Sequence, residues 1–415
     1  MSNIDRRQYM TAGGAAVIGG LIGYFGHSTL NPQAAQKAVD SGAGDNYLGV
    51  YGDVYPIPKG AMPEKIVFNT GEPWYGAREA THSQYEELYG VKVEPFFMAG
   101  VEIIEKLKSK NHGIDLAFMT TFNTMEHLRR DGYTWMAPLD MDLIPNYNLV
   151  ESYFRDVLIP EYYQDDDGNT YGIPNIWGED TVVYDHDEVA VEEPDAGLDL
   201  LFSDEFGKDN VTMPGGAFGR LQTVAVAAMY IGAKGRGTPR IPGFMDATDE
   251  ELKECEEVLV NQKKELIRAY WDTMGDFSNL VVNKEVNRGF GWRPIVKMIR
   301  NAGIDARWGA NPDATIGWVT GPGLCADAVP ERVEAAHLMA NWLFGPYWGN
   351  IQGEWSNYKV SAFEMIQKAM PSSLRDEVYP PVFENPRAYF DKLNWQVNYE
   401  RREAYIETFE RVLAK

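Results

Sequence analysis

The chain has 415 residues, and its 61 acidic and 38 basic side chains give a formal net charge of −23 at pH 7. A surface of this sign repels phosphate backbones and anionic lipid headgroups, which argues against a nucleic-acid partner. Only Cys255 and Cys325 are present, so the composition excludes a disulfide framework and a zinc cluster. The length exceeds what one hydrophobic core usually holds, so two domains are expected.

The N-terminus carries the pattern of an export signal. Arg6 and Arg7 precede an apolar run rich in Gly and Ala at 12–25, as is typical of a twin-arginine signal. The run is shorter than the roughly 20 residues that cross a bilayer. We therefore expect a twin-arginine-type signal at 1–30, a linker at 31–63, and export to the periplasm or to the extracellular face of the cytoplasmic membrane. Cleavage of the signal and its retention as an anchor are both open.

The part of the chain after the linker alternates strand and helix patterns. Strand patterns cover 64–69, 91–97 and 114–119, and helical patterns cover 79–89 and 101–110. This βαβαβ order predicts a mainly parallel sheet with helices on both faces, in which ligands bind at the carboxyl ends of the strands. Thr120 follows the third strand at that edge, where it either contacts a ligand or caps the helix predicted at 123–130.

The run at 171–185 sets an aromatic residue and two carboxylates between apolar strand segments. The residues at 182–184 favour a strand, and Trp177, Glu179 and Asp180 fall where a strand end would present side chains to a ligand. A core tryptophan beside a surface turn would explain the local pattern equally well. We interpret the run as the crossing of a binding cleft.

The middle of the chain contains a Gly-rich turn at 211–220 that opens an apolar helical pattern at 221–231. Free N–H groups at such a helix start favour an anion, and Arg220 would strengthen that preference. A buried helix with a tight entry turn is the alternative. The patterns that follow predict a charged helix at 249–270, a strand at 314–320, a helix at 333–344 and a terminal helix at 391–413.

No motif for catalysis or metal binding is complete. The six His include no close pair, and the chain has neither a Gly-x-Ser-x-Gly nor a Gly-x-Gly-x-x-Gly run. We predict no metal, no cofactor and no enzymatic activity. An exported hydrolase or lyase acting on a small polar substrate is the alternative, because so many acidic residues always offer candidate pairs. Tryptophans near predicted strand ends instead offer ring faces that attract amines and quaternary ammonium groups.

The order of these segments resembles the spermidine/putrescine-binding proteins of ABC importers. The resemblance covers about 64–413 and is strongest in Ile-Asp-Leu-Ala-Phe-Met-Thr-Thr-Phe at 114–122, Ile-Pro-Asn-Ile-Trp-Gly at 173–178 and Asn-Trp-Gln at 394–396. It implies an α/β, two-lobe periplasmic-binding-protein-like (type II) fold with a hinge and an interlobe ligand cleft. The implied lobe 1 is 64–175 plus 319–362, and the implied lobe 2 is 176–318 plus 363–415.

Carried over residue by residue, the resemblance implies a set of ligand contacts. Ligand-contacting positions of the family coincide with Glu72, Thr120, Phe122, Trp292, Trp318 and Gln396, and Trp355 lies near a further aromatic position. Thr120 stands for a Ser and Phe122 for a Tyr, so one hydroxyl is lost. Trp292 and Trp318 match the two tryptophans that sandwich the polyamine chain.

Three carboxylates of the family's site are missing. Ala217, Arg220 and Thr320 stand at those positions. A desolvated ammonium without a counter-charge is costly, so a long dication is disfavoured unless Glu179 and Asp180 take over. Glu72 with Glu179 would hold one amino end while Arg220 holds a carboxylate. This arrangement suits a zwitterion, such as an amino acid derivative or a betaine, and a polyamine is the other candidate.

The resemblance implies an extracytoplasmic substrate-binding protein of an ABC importer. Such a protein is expected to be a monomer that captures a small amine-containing solute and delivers it to a membrane permease. A binding subunit of a chemoreceptor would differ only in its partner.

Overall fold

A computed structural model describes residues 46–49, 51–70, 81–98, 100–120, 124–232, 243–379, 385–396 and 399–415. The predicted signal at 1–30, the first part of the predicted linker, Glu72 and Phe122 lie outside the described residues. Within the described ranges, no helix has both the length and the apolar character needed to cross a membrane.

The described strands and helices alternate along most of the chain. The strands are β1 (Asn46–Leu48), β2 (Val54–Pro56), β3 (Lys65–Thr70), β4 (Lys92–Phe97), β5 (Leu116–Thr120), β6 (Met136–Ala137), β7 (Ile176–Asp185), β8 (Val211–Pro214), β9 (Ile267–Trp271), β10 (Arg288–Trp292), β11 (Ala306–Trp308), β12 (Ile316–Cys325), β13 (Lys359–Val360) and β14 (Asn394–Trp395). The helices are α1 (Ser83–Tyr89), α2 (Gly100–Lys108), α3 (Glu126–Arg130), α4 (Asp199–Phe202), α5 (Gly219–Tyr230), α6 (Asp249–Glu265), α7 (Met274–Val282), α8 (Arg293–Asn301), α9 (Val333–Trp342), α10 (Pro346–Ser356), α11 (Phe363–Ala369), α12 (Ser372–Val378), α13 (Pro386–Phe390) and α14 (Arg402–Ala414).

Most of the described strands form one sheet with the order β4-β3-β5-β12-β7-β10-β8-β9, and the short strands β6, β11, β13 and β14 pair with β7 or β12. As the βαβαβ pattern predicted, β3 runs parallel to β4 and β5. In contrast, β12 runs antiparallel to both β5 and β7. The sheet is therefore mixed, with antiparallel pairing from β5 through β12 and β7 to β10.

Two long strands, β7 and β12, connect the two halves of this sheet. Each has ten residues, all of them buried. In β7, residues 176–180 pair with β12 and residues 180–184 pair with β10. In β12, residues 316–320 pair with β7 and residues 320–324 pair with β5. We call this pairing of β7 with β12 the strand crossing. It confirms the predicted two-lobe α/β fold with a hinge, whereas the lobe boundaries stay a prediction.

Part of the segment predicted as a linker packs against the core. β1 and β2 form a two-stranded antiparallel sheet. The Val54 N–H donates to Oδ1 of Asn146 at 2.6 Å, and the Val54 carbonyl accepts from Nδ2 of Asn341 at 2.7 Å. Tyr55 is buried. These contacts hold in place residues that we predicted to form a linker because of their Gly and Pro content.

The charged helix predicted at 249–270 ends earlier than expected. α6 begins with a capping box in which Glu251 N–H donates to the Thr248 hydroxyl and Thr248 N–H donates to the Glu251 carboxylate. It ends at Glu265, and Ile267–Trp271 form β9, which pairs with β8. The β-branched and aromatic residues of β9 prefer a pleated surface, and this preference outweighs the helical periodicity.

The terminal helix predicted at 391–413 is also divided. Asn394–Trp395 form β14, which pairs in parallel with β12, and the helix begins only at Arg402. This pairing brings the chain end back to the strand crossing.

Candidate functional site

The alternation of side chains along strands places a polar and aromatic set on one face of the strand crossing. Directly paired residues of neighbouring strands share a face, as do residues two apart on one strand. Thr320 pairs with Thr120, and Asp180 pairs with Trp292. Trp318 lies two residues before Thr320, and its Nε1–H reaches Asp180. We call this surface the cleft face, formed by Thr120, Asp180, Trp292, Trp318 and Thr320.

Asp180 is the charged residue of the cleft face and is only 2% exposed. Its Oδ1 accepts a hydrogen bond from Nε1 of Trp318 at 2.9 Å, and its Oδ2 accepts one from Nε2 of Gln222 at 2.5 Å. Burial raises the pKa of Asp180 to about 8; the two hydrogen bonds oppose this effect and the charge of Glu179 adds to it. No cation pairs with this carboxylate among the described residues. A buried carboxylate in this state lacks the counter-charge that would stabilise it.

The Trp318 ring is fixed by close packing against β7. A Cβ atom on Gly178 would lie 2.6 Å from Cζ2 of Trp318 and 2.9 Å from the ring of Tyr358. The two rings meet edge to face, with centroids 4.8 Å apart. Because Gly178 has no side chain, the indole can lie against the strand with its N–H directed at Asp180.

Two buried polar atoms at the cleft face have no hydrogen-bond partner among the described residues, one next to Asp180 and one four residues further along the strand crossing. They are Oγ1 of Thr320 and Oε1 of Gln222. Buried polar atoms in folded proteins nearly always have a partner, so each such atom calls for an explanation. Together with a carboxylate that lacks a cation, they form the expected lining of a site for a polar, positively charged group.

The other predicted residues of this region lie on the cleft face or next to it. Thr120 is buried, and its hydroxyl lies 3.4 Å from the hydroxyl of Thr124. Gln396 follows β14, and its backbone N–H donates to the Gly317 carbonyl at 2.7 Å. Trp292 is half-buried at the end of β10 and packs edge to face on Trp271, with ring centroids 5.0 Å apart.

Glu179 and Trp177 lie on the opposite face of β7. The Glu179 carboxylate pairs with Nζ of Lys359 at 2.6 Å, and both side chains are fully buried. The same Nζ lies 4.6 Å from the centroid of the Trp177 ring. Burial lowers the pKa of Lys359, whereas the Glu179 carboxylate raises it. We call Trp177, Glu179 and Lys359 the hinge cluster. The structure therefore gives Glu179, which we predicted to contact the ligand, a cationic partner within the chain.

Two further predicted contacts lie at partly exposed positions on helices. Arg220 is in the first turn of α5, and its Nη1 lies 3.5 Å from Oε1 of Glu410 on α14. Trp355 is on α10 and is 40% exposed. Arg220 thus has a carboxylate partner within the chain, whereas Asp180 has no such counter-charge among the described residues.

Gln222 and Lys359 were not identified from the sequence. Gln222 is the one amide in α5, where apart from Thr223 the buried side chains that follow it are apolar, and it is fully buried. An isolated amide in such a stretch must find a polar partner, and this was the available signal. Lys359 had no comparable signal, because its partner Glu179 is 180 positions away.

We expect Thr320→Val to stabilise the ligand-free protein and to weaken ligand binding. Val has a similar shape but no hydroxyl, so the change removes the cost of about 1–3 kcal/mol of a buried polar group without a partner. A ligand that bonds to this hydroxyl would lose about 0.5–1.5 kcal/mol, or up to roughly tenfold in affinity. Urea unfolding and calorimetric titration measure the two effects.

Thr223→Val is the matched control, since the buried Thr223 hydroxyl donates to the Pro214 carbonyl at 2.7 Å. That variant should be less stable than the wild type. A Thr320→Val protein that loses stability and keeps its ligand affinity would contradict the assignment of Thr320 to the site.

Comparison with known proteins finds structures with a similar fold. No protein-family model and no curated protein matches the chain. The spermidine/putrescine ABC transporter substrate-binding protein PotD from Streptococcus pneumoniae matches with a TM-score of 0.63 and 14% identity, over 85% of this chain and 98% of that one. The TpPotD lipoprotein of Treponema pallidum matches with a TM-score of 0.64 and 13% identity, over 84% and 99%. The periplasmic binding protein AgtB from A. tumefaciens R10, in complex with agropinic acid, matches with a TM-score of 0.53 and 15% identity, over 85% and 97%.

These identities are low, but the matches cover about 85% of this chain and nearly all of each neighbour, so the likeness establishes the fold. The resemblance indicated by the sequence runs is confirmed at this level: the chain has the fold of the spermidine/putrescine substrate-binding proteins of ABC transporters.

Proposed function

We propose that the protein is an extracytoplasmic substrate-binding protein of an ABC importer and that it captures a small amine-containing solute between its lobes. The observation that carries this proposal is Asp180, a buried carboxylate at the strand crossing that has no cationic partner among the described residues. An ammonium group would supply the missing counter-charge. The indole N–H of Trp318 holds the carboxylate in place for it.

The fold links capture of the solute to movement of the lobes. Thr120 and Thr320 belong to the half of the sheet that contains β5, whereas Trp292 and Gln222 belong to the half that contains β10 and α5. A solute that contacts both halves binds the closed form more tightly than the open form, and therefore shifts the population toward closure. The closed form would be the one that docks on a membrane permease, with the protein acting as a monomer.

The proposal leaves more than one class of amine as a candidate ligand. One of the fold neighbours is named for spermidine and putrescine, and another holds agropinic acid. The same fold thus occurs with ligands of different charge, so both polyamines and zwitterions are candidates.

A thermal-shift screen of the full chain against polyamines, betaines, amino acids and small sugars tests the proposal. We expect amines to raise the melting temperature and to be recovered unchanged by mass spectrometry, because a ligand that binds only the folded state stabilises it. Shifts with sugars alone would contradict the amine assignment. Consumption of the ligand would favour the exported hydrolase or lyase.

We expect the affinity for an amine to rise with pH up to about 8. The Asp180 pKa of about 8 means that the carboxyl is mostly protonated at pH 6 and must lose its proton to pair with an ammonium. Affinity should therefore fall about tenfold for each pH unit below 8 and level off above it. The buried Tyr358 and Tyr399, whose pKa values are raised, do not ionise in this range. Calorimetric titration between pH 6 and 9 would contradict this account if affinity were constant or fell with pH.

A further inference from the structure

Two adjacent acidic residues of β7 lie in different charge environments. Glu179 and Asp180 are successive residues of one strand, so their side chains point to opposite faces of the sheet. Glu179 is neutralised by Lys359 at 2.6 Å, with both groups buried. Asp180 remains without a cation among the described residues. When it is ionised, Asp180 therefore presents an uncompensated negative charge to the cleft face.

The atoms around Asp180 specify more than a positive charge. When Asp180 is ionised, Gln222 must direct its amide nitrogen at Oδ2, as its 2.5 Å contact requires. Its Oε1 then remains as a buried acceptor without a partner among the described residues, in the same condition as Oγ1 of Thr320. A carboxylate with an unsatisfied acceptor next to it matches a group that carries one positive charge and more than one N–H donor.

We propose that the cleft selects a solute with a single primary ammonium group, either a monocation or a zwitterion. This inference rests on the proposed function and narrows its ligand class. A quaternary ammonium has no N–H and leaves Oε1 of Gln222 unsatisfied, so betaines are disfavoured. A linear diamine brings a second ammonium to a region where the described side chains Thr120, Thr320, Gln222 and Gln396 are neutral, so dications are disfavoured as well.

A series of four-carbon ligands that differ only at their ends tests this inference. Butylamine, 4-aminobutanoate, putrescine and the N-trimethyl derivative of 4-aminobutanoate are titrated calorimetrically into the full chain at pH 8.5. We expect butylamine or 4-aminobutanoate to bind at least tenfold more tightly than putrescine and than the trimethyl compound. Tightest binding by putrescine, or equal binding of the primary and trimethyl compounds, would overturn the inference and leave the proposed amine carrier standing. No binding by any of the four would count against both.

The variant Gln222→Met tests whether the Gln222 amide recognises the ammonium group or has only a structural role. Met has a similar length and volume but cannot accept the ammonium N–H. The variant should bind 4-aminobutanoate less tightly and reduce its advantage over the trimethyl compound to less than threefold. An unchanged ratio in a variant whose circular dichroism matches the wild type would overturn the assignment of Gln222 to ammonium recognition.

Discussion

Asp180→Asn should reduce the affinity for amines by about 10- to 150-fold, since a hydrogen bond to a charged group contributes about 1.5–3 kcal/mol. The variant should remain folded. Asn has the same shape and can still accept the hydrogen bond from Nε1 of Trp318, and Gln222 can turn its amide to accept from the new NH₂ group. Calorimetric titration at pH 8.5, where the wild-type carboxylate is ionised, measures the loss.

The stability of this variant provides a second readout. The folded protein raises the pKa of Asp180 to about 8, so ionisation of Asp180 costs stability, progressively, as the pH rises from the unfolded value toward 8. Asp180→Asn avoids this cost. The ligand-free variant should therefore melt at the same temperature as the wild type or higher at pH 8.5, and the pH dependence of amine binding should be lost.

Arg220→Met is the matched control for charge. Arg220 pairs with Glu410 on the surface of α5 and α14, so its removal should change amine affinity less than threefold. Unchanged amine binding by Asp180→Asn would contradict the account. A large loss of zwitterion binding by Arg220→Met would instead restore Arg220 as the carboxylate contact that the sequence predicted.

Lys359→Met should destabilise the protein by about 3–5 kcal/mol, because it removes the cation that pairs with the buried Glu179 carboxylate. The Glu179 and Lys359 side chains are both fully buried, and the strand that carries Lys359 pairs with β7 at Trp177. Met fills a similar volume, so lost packing contributes little. Urea unfolding at pH 7 measures the change.

The double variant Glu179→Gln, Lys359→Met is the control for this prediction. Replacing both charged groups removes the uncompensated charge, so most of the stability should return, and a double-mutant cycle gives the coupling energy. Glu179→Gln alone should cost less than Lys359→Met, since burial already lowers the pKa of Lys359 and allows it to lose its proton. Wild-type stability in Lys359→Met would show that Glu179 is not held as a buried ion. The folded double variant should still bind amines, because Asp180 lies on the other face of β7.

The fold was predictable because its signals are local and repeated. The strand and helix patterns at 64–119 define parallel strands, and the runs at 173–178 and 394–396 lie on or beside the strand crossing. Boundaries were less predictable where tertiary pairing decided them. β9 and β14 were predicted as parts of helices, since pairing with β8 and β12 is not visible in the local pattern.

The site was predictable only in part, for a physical reason. β7 is buried on both faces, so its sequence lacks the polar and apolar alternation that would distinguish the cleft face from the hinge cluster. Asp180 and Glu179 therefore looked equivalent. Their difference depends on Lys359, 180 positions from Glu179 in the chain, and the state of Arg220 depends on Glu410, 190 positions away. One sequence contains no information about such distant partners.

A crystal structure of the protein with the tightest-binding amine of the screen tests the central claim most directly. The account predicts the ammonium nitrogen on the cleft face, within about 2.7–3.2 Å of a carboxylate oxygen of Asp180 and close to Oε1 of Gln222. An amine bound away from the strand crossing, or held by Glu179 after displacement of Lys359, would contradict it.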